Sequence, residues 1–472
     1  MRTNSAWGLI LLLGSLSVPA AAATLTLAPD RMAEVDGHRT FILGMYENPK
    51  EDAELDRLAE AGFNLVRVSG DEAALDRLHA RGLWGWVNTG AAIDLSKDRT
   101  ARERQLEALV KDCAGHPAML VWEVPDEALW NCWYQPHCWR SGEEPAQQRA
   151  LIDSLEDRDL AKALRAELAR IGRLYGEARY AEGEEAADAV WMKLGETPPK
   201  PGYGVSTSAA RAAAMCGGMV EGYRLLRRLD PAHPVWMNHA PRNTVAQLAA
   251  FNAAADVVGC DIYPIPFSTR VGHSDLAERS AAAVGAYTLR MQEAAPGKAV
   301  WMVLQGFGWG DIQPQRPEEV RRELRRPSLA ETRFMAYDAI ARGARGMLYW
   351  GTHAIEKDSK LWENLLELGR ELSGLQAVLS APEADLDVRV TFEEGMGSVD
   401  RGLVVLPKAV GDQTGLLVVN EWTGPLHYRI EGLKSLEGVR YVERESGKEA
   451  TVDRGALRLY IAGQSVHLLM PR

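Results

Sequence analysis

Apolar and polar positions follow two alternating rhythms along most of this chain. Runs such as FILGM, NLVRV, LWGWV and AMLVW are apolar at nearly every position, as strands buried on both faces require. Between them lie segments such as DAELDRLAEAGF and RERQLEALVKDCAG, where apolar residues return at helical spacing. The alternation resumes with PVWMNHAP, DVVGCDIYPIP, KAVWMVLQGFGW and RGMLYWGTHA, each bounded by a helical stretch, and gives eight strand–helix units. That number predicts an α/β fold of the (β/α)8 TIM-barrel type, with a doubly wound open sheet as the alternative.

Two stretches break the rhythm. After the fourth strand, Ala, Glu and Arg dominate at helical period until the turn-rich TPPKPGYG, which predicts a helical insertion over about residues 141–208. From residue 381 short alternating strands such as DVRVTF and GLLVVNEW, separated by Gly and Asp turns, predict a small β-sandwich over 381–472. The barrel with its insertion is expected over 24–380. Residues 1–23 have an early Arg2, an apolar centre and a run of alanines, the pattern of a secretory signal, so an exported protein is expected, periplasmic or secreted. Its apolar run is too short for a stable anchor, and no later segment is long and apolar enough to span a bilayer.

The 472 residues carry a net charge of -11 without clusters of Lys and Arg, which argues against nucleic acid as a partner. Export would oxidise paired cysteines, and of the five present, Cys132 and Cys138 in CWYQPHC are near enough in sequence to close a short disulfide loop. Cys113 and Cys260 lie in apolar contexts that suit free core thiols. Cys216 is left undecided.

In such a barrel the chemistry collects where strands end. These positions carry Tyr46 and Glu47, then Arg67, Asn88, Asp126 and Glu127. Further along they carry Asn238, His239, Asp261, Tyr263, Gln305, Trp309, Trp350 and His353. Aromatic rings beside carboxylates and amides suit a sugar, whose faces stack on rings while its hydroxyls need donors and acceptors. Trp130, Trp133 and Trp139 follow strand four and either add stacking surfaces or pack the insertion. His239 and His353 lack the spacing of a metal site. The absence of a glycine-rich phosphate loop and of a Gly-x-Ser-x-Gly elbow leaves no cofactor indicated.

The segment EVPDE, Glu123 to Glu127, is similar to the E-x-W-N-E-P segment of clan A glycoside hydrolases, and VWMVLQGFGW resembles their W-x-x-E-F-G strand. GCDIYPIP and ETRFMAYDAIARGARGMLYW look like the same group, so the resemblance covers roughly Arg39 to Leu379. It implies a glycan substrate, Glu127 as acid/base, Asp126 in place of the Asn that holds a sugar hydroxyl, and Glu123 pointing into the barrel below. The chain departs from the pattern at Pro125, where an aromatic is usual, and at Ala128, where a Pro is usual. It departs most at Gln305, which stands where the nucleophilic Glu would be.

An amide carries no charge to stabilise an oxocarbenium ion, so hydrolysis would need a carboxylate from elsewhere. Asp261 is the first choice and Glu47 the second, in an inverting arrangement with the carboxyl groups about 6.5–9.5 Å apart. Gln305 would then hold a sugar hydroxyl or orient the water. An ion pair between Asp261 and a neighbouring Arg such as Arg67 is the competing, structural reading. Three functions follow as expectations: an exported glycosidase, a carbohydrate-binding barrel that lacks its nucleophile, or an assembly protein of an exported polysaccharide system.

Overall fold

In the computed structural model, which describes residues 22–267, 273–393 and 402–472, eight parallel strands close on themselves. They are Ile42–Met45, Leu65–Val68, Trp84–Asn88, Met119–Glu123, Val235–His239, Val257–Cys260, Ala299–Gln305 and Gly346–Trp350. The eighth strand pairs with the first, Gly346 opposite Ile42, which makes a barrel of the eight units and excludes the open sheet. Residues 1–21, which hold nearly all of the expected signal, lie outside the described residues.

The barrel interior is packed with rings. Trp86, Trp236 and Trp301 are fully buried, and Tyr46 meets Trp86 and Trp236 edge to face with centroids 5.1 and 5.7 Å apart. Such large side chains fill the space beneath the strand ends and leave the mouth as the accessible cavity. Ahead of the barrel, Leu25–Leu27, Ala33–Val35 and His38–Thr40 form a small antiparallel sheet.

The insertion starts earlier than its composition suggests. Helix Ala128–Cys138 leaves strand four at once, followed by helices Glu144–Asp153, Arg158–Gly176 and Tyr180–Lys193, before the barrel helix Ser208–Leu229. It has a core of its own, with Ile152, Leu164, Ile171 and Val190 at its centre. Arg140 is buried there between Glu144 at 2.9 Å and Asp188 at 2.7 Å.

The expected Cys132–Cys138 disulfide is corrected by this helix. Both cysteines are free, and six residues of α-helix separate them by about 9 Å along the axis, beyond the reach of a disulfide. The Cys132 thiol lies 3.4 Å from the Ala128 carbonyl, within its own helix.

A three-stranded and a five-stranded antiparallel sheet form the C-terminal sandwich, over a core that includes Tyr428, Tyr441 and Leu457. Arg342, at the end of barrel helix Leu329–Ala341, ties the sandwich to the barrel through two 2.6 Å hydrogen bonds to Glu421. Among the described residues no helix is long and apolar enough to cross a membrane.

Candidate active site

Strand four ends at Glu123, and the chain then turns sharply into helix Ala128–Cys138 with Glu127 as its N-cap. Glu127 has φ of 50°, in the left-handed region that a non-glycine residue seldom adopts. Its backbone N–H donates to the Asn238 carbonyl at 3.3 Å, which fixes the elbow to strand five. Backbone strain held in this way at a carboxylate is characteristic of functional positions.

Four carboxyl groups from strands four and six meet here. Glu123 is fully buried and accepts hydrogen bonds from Asn88 Nδ2 at 2.6 Å and the Tyr46 hydroxyl at 3.4 Å, with Arg67 Nε at 3.5 Å. Burial and the neighbouring Asp126 push its pKa up to about 7 against the pull of Arg67. Asp126, also raised by burial, accepts from Asn238 Nδ2 at 2.9 Å.

The Glu127 and Asp261 carboxyls both line one cavity and lie near enough for each to shift the other's ionisation. Burial and Asp126 raise Glu127 to about 7, while burial and Glu127 raise Asp261 well above the carboxylate range. Two carboxyls in contact cannot both ionise cheaply, so they share a proton, held chiefly by Asp261. Arg67, the arginine suggested as a partner for Asp261, points instead to Glu123. His273 lies 3.8 Å from Asp261, and burial drives its pKa down to about 3 and keeps it neutral.

The pair opens into a cavity of about 760 Å³. On one side Trp350, Tyr263 and His273 form a continuous stack, with centroids 5.5 and 4.9 Å apart and planes within 17° and 3° of parallel. Trp309 meets this stack edge-on. Trp130 and Tyr134 line the cavity from the helix after Glu127.

Of the residues picked from strand ends, Asp126, Glu127, Asn238, Asp261, Tyr263, Trp309 and Trp350 line this cavity. Tyr46, Arg67 and Asn88 line an adjoining groove and meet the cavity's carboxylates through Glu123. The other four lie elsewhere. Glu47 is held by Lys357 at 2.6 Å, and His353 packs edge-on behind Trp350. His239 is buried against Asn252 at 2.8 Å, with burial lowering it to about 4.

Gln305 is fully buried and outside the cavity lining. Its amide oxygen accepts from Ile265 N–H at 2.9 Å, and its nitrogen donates to the carbonyls of Ile265 at 2.6 Å and Phe307 at 3.0 Å. Both donors and one of the two acceptor sites of the amide are spent on backbone, which replaces the expected ligand or water-orienting role with a structural one.

Sequence reasoning missed Tyr134, Arg242, His273, Gln313 and Arg316, all on the cavity wall. Only Tyr134 left a signal, since Glu127, Trp130 and Tyr134 are spaced three and four apart and share one side of a helix. Of the tryptophans after strand four, Trp130 lines the cavity, whereas Trp139 is buried in the insertion under Lys200, 4.0 Å from its ring. Among the described residues no group of three or more His, Cys, Asp or Glu is placed to hold a metal ion.

The (β/α)8 barrel with its C-terminal sandwich is a fold that solved glycoside hydrolases share. No protein-family profile and no curated protein matches the sequence. Among solved structures, the Gan42B GH42 β-galactosidase of G. stearothermophilus superposes with a TM-score of 0.52 at 10% identity, covering 96% of this chain and 100% of that one. A further glycoside hydrolase gives 0.51 at 12% identity over 95% and 96%. A family 5 glycoside hydrolase from Bacteroides vulgatus gives 0.50 at 14% identity over 95% and 92%.

Proposed function

We propose that this barrel mouth is the active site of an exported glycoside hydrolase, with Glu127 as proton donor and Asp261 as the second carboxylate. The observation that carries the reading is the meeting of the Glu127 and Asp261 carboxyls in one aromatic-walled cavity. A donor with a pKa near 7 holds a proton it can also release at neutral pH. As a glycosidic oxygen approaches Glu127, the shared proton passes from Asp261 to Glu127 and on to the leaving group. Asp261 is then left as the anion facing the developing positive charge at the anomeric carbon.

Direct contact between the two carboxyls leaves no gap for the water that inversion places between base and sugar. Contact is also closer than the roughly 5–5.5 Å of a retaining pair, so a glycosidic bond enters between the two carboxyls only once they separate. The apolar and alanine-rich pattern of residues 1–23 supports export.

The test is turnover of a panel of aryl glycosides, beginning with β-galactosides because Gan42B acts on them. Glu127→Gln is expected to lower kcat about 10²–10⁴-fold with an unchanged circular dichroism spectrum. Undiminished turnover in that variant would overturn the assignment. Gln305 keeps a second reading in play, a sugar-binding barrel without turnover, since strand seven supplies no carboxylate to the cavity. Binding of the panel with no product from the wild type would select it.

A further inference from the structure

The helix that starts at Glu127 carries more than the proton donor. Trp130 and Tyr134 project from the same side, their rings near parallel at 20° with centroids 5.6 Å apart, and both line the cavity. Tyr134 is 45% exposed, so its ring is not there to fill a core. The two rings stack on each other, half-buried Trp130 backing exposed Tyr134, and such a braced aromatic pair beside a carboxyl group offers an outer face suited to the apolar face of a pyranose.

The aromatic surfaces of the cavity divide between the two members of the carboxyl pair. Asp261 is two residues before Tyr263, which is stacked with Trp350 and His273. Glu127 caps the helix that carries Trp130 and Tyr134. In glycoside cleavage the proton donor sits at the leaving-group oxygen, so a ring bound on the donor's own helix lies on the leaving-group side. Gln313 and Arg316 also line the cavity and carry donors for hydroxyl groups.

We propose that Trp130 and Tyr134 form a leaving-group subsite for a sugar ring, which makes oligosaccharides the preferred substrates over glycosides with small leaving groups. This rests on the reading of Glu127 as proton donor. The cavity volume of about 760 Å³ is in the range that encloses a ligand of several rings.

The experiment compares β-galactosyl fluoride, whose leaving group needs neither a subsite nor a proton, with a β-galactotriose. It uses the full chain as wild type, Trp130→Ala, Tyr134→Ala and the conservative Trp130→Phe. The ratio of kcat/KM for the trisaccharide over the fluoride is expected to fall about tenfold in each alanine variant, through KM, and to recover in Trp130→Phe. An unchanged ratio overturns the subsite.

If the wild type cleaves neither probe, the proposed activity fails but the subsite remains measurable, by the change in tryptophan fluorescence on adding the trisaccharide. A change in the wild type that is lost in Tyr134→Ala supports the subsite, and no change in the wild type overturns it.

Discussion

The side-chain amide of Gln305 is clamped to the backbone of Ile265, accepting from its N–H at 2.9 Å and donating to its carbonyl at 2.6 Å. A carboxylate at this position would keep the first bond, lose both donations and face the carbonyls of Ile265 and Phe307. Gln305→Glu is therefore expected to destabilise the protein by about 1–3 kcal/mol and to gain no hydrolytic activity. Urea denaturation alongside an aryl glycoside assay checks this. A fully stable variant with new activity would show that the carboxylate can reach the cavity.

The pair must hold the proton that Glu127 passes on, and Asp261 keeps it well above the usual carboxylate range, so kcat/KM is expected to fall only once pH rises past the point where Asp261 gives it up. Asp126→Asn removes the charge that helps raise Glu127 while keeping an oxygen for Asn238. The alkaline limb of the pH profile should move to lower pH in that variant. A limb that stays in place would mean that Asp126 is already neutral in the wild type.

Glu123 ties stability to pH in a definite direction. Its folded pKa of about 7 lies above its ordinary value of 4.5, so the native state holds the proton more tightly than the unfolded chain. The resulting stabilisation is fully present below about pH 4.5 and is lost as pH rises through about 7. Compared with Glu123→Gln, the wild type should lose ground by up to about 1.4 kcal/mol per pH unit across that window. Denaturation of both proteins at pH 5 and pH 8 measures the change, and a constant gap would place the carboxylate's charge elsewhere.

With Cys132 and Cys138 free on one helix, reductant should leave the melting temperature unchanged. Thiol titration of the denatured, unreduced protein should find all five cysteines. A count of three would indicate a pairing that this helix forbids.

Arg342 is the cation that faces Glu421 and Asp338 where the sandwich meets the barrel. Those two carboxyls also hydrogen-bond to each other, and burial and Glu421 raise Asp338 well above its usual range. Arg342→Ala is expected to cost on the order of 2–3 kcal/mol by leaving them uncompensated. Limited proteolysis should then cut first near the start of the sandwich, and an unchanged digestion pattern would count against the role.

Much of this architecture was written in residue patterns, because a strand buried on both faces is apolar throughout and a barrel helix is apolar on one side. Eight repeats of that pair define the barrel, and the position of a carboxylate at a strand's end places it at the mouth, which is why Asp126, Glu127, Asp261 and Tyr263 could be picked without coordinates. The pattern could not reveal which way each side chain at a strand end turns. His239 and Gln305 occupy equivalent places in sequence, yet one is buried against Asn252 and the other is consumed by backbone. Nor could it tell that CWYQPHC is helical, since the short spacing that suggested a disulfide is the same in a loop and in a helix.

The sequence by itself determined the barrel, the sandwich and the set of polar strand ends, since these follow from local periodicity. Only the tertiary structure decided the pairings: Arg67 with Glu123 and not Asp261, Glu47 with Lys357, and Glu127 with Asp261 across strand five. Those partners are far apart in the chain, and ionisation depends on burial and on the nearest charge, which exist only once the strands have closed into a barrel.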